Sequence, residues 1–379
     1  MKLDSKLARL AVAGLMLAFP LVYGLRVLGT PRIPSPIPTL PADFNLLVLT
    51  VGGWQDPQAL PPWPSVDSLT GRGVRVGPVF AASDDPAASA VSLWTGRFVP
   101  HHGVVDAGRS LPPGAWTLAS AARASGARTA AFLQAEFARR QGLAGFDQVV
   151  EGLELEPERL GTLAAEFLAR DADARSVVWI HLAEPGPAGG HVERVLAPVL
   201  GELDGSGARV DTLTVLTALR GRQDAWMEGR ARVPLLVELP TALNARRSSE
   251  GQLSHVHLTA LLRRLMRLPG PDASAGQADL QAEPDPMWNA VRGGDVVQPV
   301  WIEGSFGHVW RDGVLRVQVD PLEEGALPTY DLRALSNPQV LGRQAPSIGP
   351  DQSEAARQLY LDARRRVFAG AVDSVTAPG

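Results

Sequence analysis

The chain has 379 residues, of which 45% are hydrophobic and 20% charged, with a formal net charge of -4. That is enough for one large α/β domain and a smaller appendage around a sizeable core, and it offers no basic excess to recruit nucleic acid. Cysteine is absent, which excludes disulfides, cysteine–zinc sites, thiol nucleophiles and acylation through sulfur. Lysine occurs only at Lys2 and Lys6, and every later positive side chain is arginine.

Lys2, Lys6 and Arg9 precede an uncharged, Leu/Ala/Val-rich stretch from Leu10 to Leu25. This is the order of a signal or signal-anchor, with the positive flank left in the cytoplasm. Arg26 can snorkel, so Val27 and Leu28 extend the apolar run toward the ~20 residues of a full span. No small-x-small cleavage site follows Tyr23, and residues 1–29 read as a retained membrane anchor over a cleaved signal. Residues 30–42 carry proline at nearly every second or third position (PRIPSPIPTLP). Such a run favours extended polyproline II and forms a semi-rigid stalk. The expectation is a globular domain held outside the cytoplasm, periplasmic or on the cell surface.

Beyond the stalk, Asn45–Val51 (NLLVLTV) is an unbroken apolar run of strand formers, the pattern of a strand buried on both faces. Similar runs recur at Ser176–Ile180, Thr212–Leu216 and Pro234–Val237, with helical 3–4 spacing between them at Thr117–Ser125, Arg159–Arg170 and Val192–Leu203. This alternation predicts an α/β fold with a mostly parallel central sheet and helices on both faces. Leu258–Leu268 is a basic amphipathic helix, and Gly270–Pro286 reads as a polar linker. Val296–Ile302 and His308–Gln318 follow, the latter alternating around Asp312-Gly313, a hairpin signal. Ser353–Phe368 has the spacing of a final packed helix. The expected domains are residues 43–270 for the α/β part and residues 271–379 for linker, small antiparallel β subdomain and C-terminal helix.

The order of local motifs resembles the sulfatase family of the alkaline phosphatase superfamily. NLLVLTV followed by PSVDSLTGRGVRV (Pro64–Val76) is similar to the family's opening strand and "P-N-L-D-x-L-A-x-x-G-V-x-F". SLWTGRFVPHHGV (Ser92–Val104) resembles "S-L-L-T-G-R-x-P-x-x-H-G-V", and Leu111–Phe132 resembles the following "L-P-x-x-x-T-L-A" helix and strand. GLAGFDQVVEG (Gly142–Gly152), DTLTVLTALRG (Asp211–Gly221) and MEGRARVPLLVELP (Met227–Pro240) match later segments in the same order. The likeness covers about Phe44–Leu268 and extends more weakly to Leu341, where PTYDLRALSNPQVL resembles the family's small C-terminal sheet.

The resemblance implies a metal site built from carboxylates and an amide or imidazole, with an attacking formylglycine, Ser or Thr. This sequence departs from that pattern at each position. The paired acidic ligands after the first strand fall at Gly52 and Gly53, the nucleophile at Pro86 and its arginine at Ala90. The later acid–His or acid–Asn pair falls at Leu219 and Arg220, and a further histidine at Gly186. No lysine is left to hold a sulfate, and no cysteine to become formylglycine. The expectation is therefore no catalytic residues, no metal and no cofactor: a sulfatase-like pseudoenzyme serving as a binding or scaffold module. The alternative is a sulfuric or phosphoric ester hydrolase with a rebuilt site drawing on Asp84, Asp85, His102 and His181. Arg97 and Arg220 are candidates to hold an anion, since guanidinium matches sulfate and carboxylate oxygens. A protein partner or an anionic glycan is the expected ligand, besides the membrane itself. His255 and His257 sit two apart, a spacing that points away from a shared metal if the segment is helical.

Overall fold

The computed structural model describes residues 44–54, 63–171, 174–184, 190–221, 227–240, 248–271, 286–292, 296–298, 300–304, 307–311, 315–319, 330–334, 357–358 and 361–362. The anchor, the stalk, Gly186, the Asp312-Gly313 turn and most of the expected C-terminal helix lie outside them. Among the described residues no helix is long and apolar enough to cross a membrane.

In chain order the main domain runs β1 (Asn45–Val51), α1 (Pro64–Arg72), β2 (Val74–Phe80), α2 (Pro86–Thr95), α3 (Val99–His102), α4 (Leu118–Ala124), β3 (Arg128–Leu133), α5 (Phe137–Arg140), β4 (Gln148–Glu151) and α6 (Pro157–Ala169). It continues with β5 (Ser176–Leu182), α7 (Gly190–Gly205), β6 (Thr212–Ala218), α8 (Met227–Ala231), β7 (Arg232–Glu238), β8 (Ser248–Ser254), α9 (His255–Leu265), α10 (Pro286–Val291) and β9 (Val296–Val297). These strands form one sheet in the order β4-β3-β5-β1-β6-β7-β2-β8-β9. β1 is parallel to both neighbours, β5 and β6, and every one of its residues is buried. Each fully buried Leu or Val of β1 contributes roughly 1.5–3 kcal/mol relative to exposure.

The register shows how both faces are covered. Phe132 pairs with Ile180, so Trp179, one residue along, points to the opposite face. Phe167 of α6 packs on Phe132 with ring centroids 6.2 Å apart, while Trp94 of α2 packs on Trp179 at 5.3 Å. Helices α6 and α2 therefore lie on opposite sides of the sheet. Gly161 allows α6 to approach α7 closely, because a Cβ there would meet Val195 O at 2.7 Å. Helix ends follow local chemistry: Asp85 caps α2 by accepting from Ala88 N at 2.9 Å, and Gly96 ends it in the left-handed region. Thr117 and Ser120 form a capping box on α4.

The sheet differs from the sequence reading at β7. The Pro234–Val237 run is a strand as expected, but β7 is antiparallel to both β6 and β2. An apolar run specifies burial and carries no direction, which is why the sequence could not show the reversal. Val296–Ile302 is split: Val296–Val297 joins β8 in the main sheet, and β10 (Val300–Gly304) opens a second sheet. That sheet has the order β10-β11-β12-β13, with β11 (Gly307–Arg311), β12 (Leu315–Val319) and β13 (Tyr330–Ala334), and every pairing is antiparallel. The expected hairpin is the β11–β12 pair.

The second sheet is fixed to the first by Phe80, Ala231, Val300, Ile302 and Val309, which form one buried cluster. Beside it Arg311 is fully buried, with Nη1 2.5 Å from Glu228 Oε1, Nε donating to Gln252 Oε1 at 3.0 Å, and its guanidinium 4.9 Å from the Phe80 ring. The α/β fold with a mostly parallel sheet and a small antiparallel sheet is as the sequence indicated.

Candidate functional site

Open α/β sheets bind ligands beyond the carboxyl ends of their strands. Here the ends of β1, β5 and β6 meet a cleft of about 300 Å³ lined by Gly52, Pro86, His181 and Arg220 among others. Four of the positions singled out in the sequence therefore converge.

Gly52 directly follows β1, and its N–H donates to Leu182 O at 2.7 Å, extending the β1–β5 pairing. A Cβ at this position would lie 2.1 Å from Ala183 O. The backbone of the β5 exit thus occupies the space where a side chain would begin. Gly53 is different: its Cβ would meet Arg220 Nε at 3.4 Å, an ordinary contact. Pro86 is the first residue of α2 and half-buried. Arg220 follows β6, its Nη2 3.6 Å from Glu184 Oε1, and its Nε is buried with no hydrogen-bond partner.

His181 is 1% exposed. Trp179 Nε1 donates to Thr50 Oγ1 at 2.9 Å, and Thr50 Oγ1 lies 2.9 Å from His181 Nδ1. The hydroxyl has a second acceptor in Ile180 O at 3.4 Å, so the Thr50–His181 contact forms with either ring tautomer. Burial pushes the His181 pKa down to about 3, so the ring is neutral at physiological pH.

The opposite wall comes from the connection after β3, which the sequence reading did not single out. Gln134 holds two segments: Nε2 donates to Leu155 O at 2.8 Å, and Oε1 accepts from Ala183 N at 3.2 Å. Phe137 packs on the His181 ring at 5.0 Å. Gln141 is fully buried, donates Nε2 to Ala107 O at 3.0 Å, and leaves Oε1 without a partner. The only available signal for these residues was their position just beyond a strand's carboxyl end.

The remaining candidates lie elsewhere. Asp85 is the α2 cap, with its pKa raised by burial against the lowering effect of the Ala88 and Ala87 N–H groups. Asp84 is buried, 3.9 Å from Arg230 Nη1. His102 Nε2 lies 2.8 Å from Ser92 Oγ, and its Nδ1 accepts from Val104 N at 3.1 Å. Burial, then the His101 and Arg97 charges, lowers the His102 pKa to about 3. Arg97 is exposed, and Ala90 and Leu219 are buried in the core. Asp84, Asp85, Arg97 and His102 do not line the cleft, so the set proposed for a rebuilt hydrolase and the Arg97–Arg220 pair proposed for an anion are not brought together. His255 Nε2 lies 3.0 Å from Thr217 Oγ1, whereas His257 Nδ1 accepts from Ser254 N at 3.0 Å, so the two rings serve separate structural roles.

The lining contains no Ser, Thr, Tyr, Asp or Lys among the described residues. Its carboxylates, Glu136 and Glu184, face Arg140 at 3.3 Å and Arg220 at 3.6 Å. A guanidinium beside Gly53, and glycines where side-chain oxygens are required, do not fit a catalytic dication, which needs several oxygen or nitrogen ligands at ~2.0–2.6 Å. The arrangement can hydrogen-bond and pack against a ligand.

A layered α/β sheet with a cleft at its carboxyl edge and a small antiparallel sheet beside it defines the fold class. No family model matches the chain, and no curated protein does. Solved structures match its fold. The phosphonate monoester hydrolase of Agrobacterium radiobacter is similar with a TM-score of 0.64 at 16% identity, over 86% of this chain and 95% of that one. A sulfatase from Pseudoalteromonas sp. aligns with a TM-score of 0.63 at 13% identity, over 89% and 92%. Ps i-CgsB, crystallised with k-i-k-neocarrahexaose, aligns with a TM-score of 0.68 at 12% identity, over 86% and 93%. The chain has the sulfatase and alkaline phosphatase superfamily fold.

Proposed function

We propose that this chain is a sulfatase-fold pseudoenzyme, a binding or scaffold module tethered to a membrane by its N-terminal segment, with the globular domain outside the cytoplasm. The observation that carries the reading is the Gly52 site. Where the resemblance calls for an acidic metal ligand there is no side chain, and Ala183 O stands 2.1 Å from the place a Cβ would take. Pro86 at the nucleophile position and Arg220 at a ligand position support it further, since neither supplies a nucleophile or a metal-binding oxygen. Fold likeness alone does not decide activity, because sites carry function. The rebuilt hydrolase loses support because Asp84, Asp85 and His102 stay out of the cleft.

The test is metal content and turnover of the purified full chain with aryl sulfates, aryl phosphates and phosphonate monoesters, with and without chelator. The expected result is no stoichiometric divalent metal and no hydrolysis. Chelator-sensitive turnover with bound Ca²⁺, Mg²⁺, Mn²⁺ or Zn²⁺ overturns the reading. For the tether, deleting residues 1–30 is expected to move the protein from the membrane to the soluble fraction, and a full-length chain that is soluble and uncleaved overturns that part.

A further inference from the structure

The amino edge of the main sheet, opposite the cleft, carries a charge pattern of its own. Two stretches of the sequence hold arginine and no acidic residue: residues 107–135, with Arg109, Arg123 and Arg128, and residues 251–271, with Arg263, Arg264 and Arg267. The fold brings them together, since Trp116 Nε1 of the first donates to Pro269 O of the second at 3.1 Å. α4 leads into β3, and α9 runs back from the end of β8, so both helices finish at the amino edge and set Arg123, Arg263, Arg264 and Arg267 there. Arg175, the residue before β5, joins them by donating Nη2 to Met266 O at 3.2 Å. Asp147 offsets Arg123 at 2.7 Å, in a pair exposed on both sides and therefore weak.

Arg267 supplies an independent observation. Its φ of 54° makes it the one non-glycine residue in the left-handed region among the described residues. It follows the last turn of α9, and Leu268 N–H donates back to Arg263 O at 2.9 Å, the closure of a helix end where glycine is usual. Glycine would hold this end without strain, so an exposed arginine here points to use of its side chain. The chain also enters at this edge. The described residues begin with Phe44 just before β1, and Asn45 Oδ1 accepts from Ser176 N at 2.8 Å, one residue from Arg175. The uncharged Leu10–Leu25 stretch is therefore joined to the domain at its arginine-bearing edge. An anionic lipid surface complements such an edge, each arginine brought near it strengthening binding by about 5-fold. Trp116, half-buried beside the arginines, is an amphipathic ring of the kind that settles at headgroup level.

We propose that the amino edge is a second membrane contact, an arginine surface that docks on anionic lipid headgroups and leaves the cleft on the side away from them. The inference rests on the tether proposed above, and one experiment separates the two. Because the chain has no cysteine, an introduced one takes a fluorophore at a single place: Ala124→Cys at the amino edge, or Leu153→Cys, 66% exposed, at the carboxyl edge. The full chain is reconstituted in vesicles of phosphatidylcholine alone or mixed with phosphatidylglycerol, with an energy acceptor on a headgroup. Flotation with the neutral vesicles reports the tether. Energy transfer from position 124 is expected to rise in the phosphatidylglycerol vesicles and to fall again in about 0.5 M salt, with position 153 little changed. Arg267→Gly is expected to weaken this lipid-dependent docking by about 5-fold while leaving the thermal midpoint at or above that of wild type, which loss of a merely structural arginine would not do. Equal transfer from position 124 in both lipids, or unchanged docking in Arg267→Gly, overturns the inference. Docking that appears only when Asp272, Asp279, Glu283 and Asp285 are changed to their amides would assign the arginines to the chain's own acidic stretch, and overturns it too. A chain that floats with neutral vesicles yet shows no lipid-dependent transfer keeps the tether and loses the docking, whereas one that binds phosphatidylglycerol vesicles alone keeps the docking and loses the tether.

Discussion

Replacing Gly52 tests whether the missing acidic ligand is a matter of one side chain or of the backbone around it. Gly52 has no left-handed φ, so the obstacle to a side chain is space. A Cβ would stand 2.1 Å from Ala183 O and 3.0 Å from Ala183 C. Relief requires the β5 exit to retreat by about 1 Å, a form of overpacking that costs ~1–3 kcal/mol. The retreat also strains the Gly52 N–Leu182 O and Ala183 N–Gln134 Oε1 hydrogen bonds, at 2.7 and 3.2 Å, each worth about 1 kcal/mol. The sum is ~3–5 kcal/mol, which for a domain of more than 300 residues lowers Tm by about 4–7 °C. Gly52→Ala is expected to show most of this loss in thermal unfolding followed by tryptophan fluorescence, and Gly52→Asp at least as much, with no gain of esterase activity. Gly53→Ala, with its nearest neighbour at 3.4 Å, is the control and is expected to stay within about 1 kcal/mol of wild type. A Gly52→Ala variant with wild-type Tm would refute the steric argument, and a Gly52→Asp variant that binds metal would refute the conclusion drawn from it.

The buried Glu228–Arg311 pair predicts a loss of about 3–5 kcal/mol for Glu228→Ala, because a guanidinium with no exposure loses its carboxylate; replacing both partners, as Glu228→Leu with Arg311→Met, is expected to recover much of it in a denaturant double-mutant cycle. Burial lowers the pKa of His102 and His181 to about 3 and of His255 and His257 to about 4, from an ordinary 6.5. The unfolded chain therefore binds more protons between those values, and stability that is full above 6.5 is lost as pH falls through the window, by up to about 1.4 kcal/mol per pH unit for each ring. A urea midpoint at pH 5 equal to or above that at pH 7 would contradict this. Asp85→Ala removes the α2 cap and is expected to cost ~1 kcal/mol of stability by the same denaturation assay, and no loss would show that Ala88 N finds another acceptor.

Much of the architecture was legible because burial writes itself into composition. Asn45–Val51 is central and covered on both faces, and its sequence has no polar face to offer water. β8, SSEGQLS, carried no such signal. Its place is set by parallel pairing with β2 and by Gln252, whose amide bonds Arg311 from another sheet. β2 was obscured by Pro78, around which its register with both neighbours shifts. In the site, Gly52, Pro86 and Arg220 were found because a motif order placed them. Gln134, Phe137 and Gln141 belong to an irregular connection whose role depends on where the chain turns back, and no local pattern encodes that.

The Glu228–Arg311 contact joins residues 83 positions apart in the chain. During synthesis the segment containing Glu228 emerges first, and the guanidinium that meets it is made only after α9, α10 and β10 have been added. A nascent main domain thus lacks this ion pair beside α8 until the second sheet arrives. Chains ending before β11 would keep a carboxylate in a pocket shaped for an ion pair, and a protease sampling local opening would distinguish them from finished molecules.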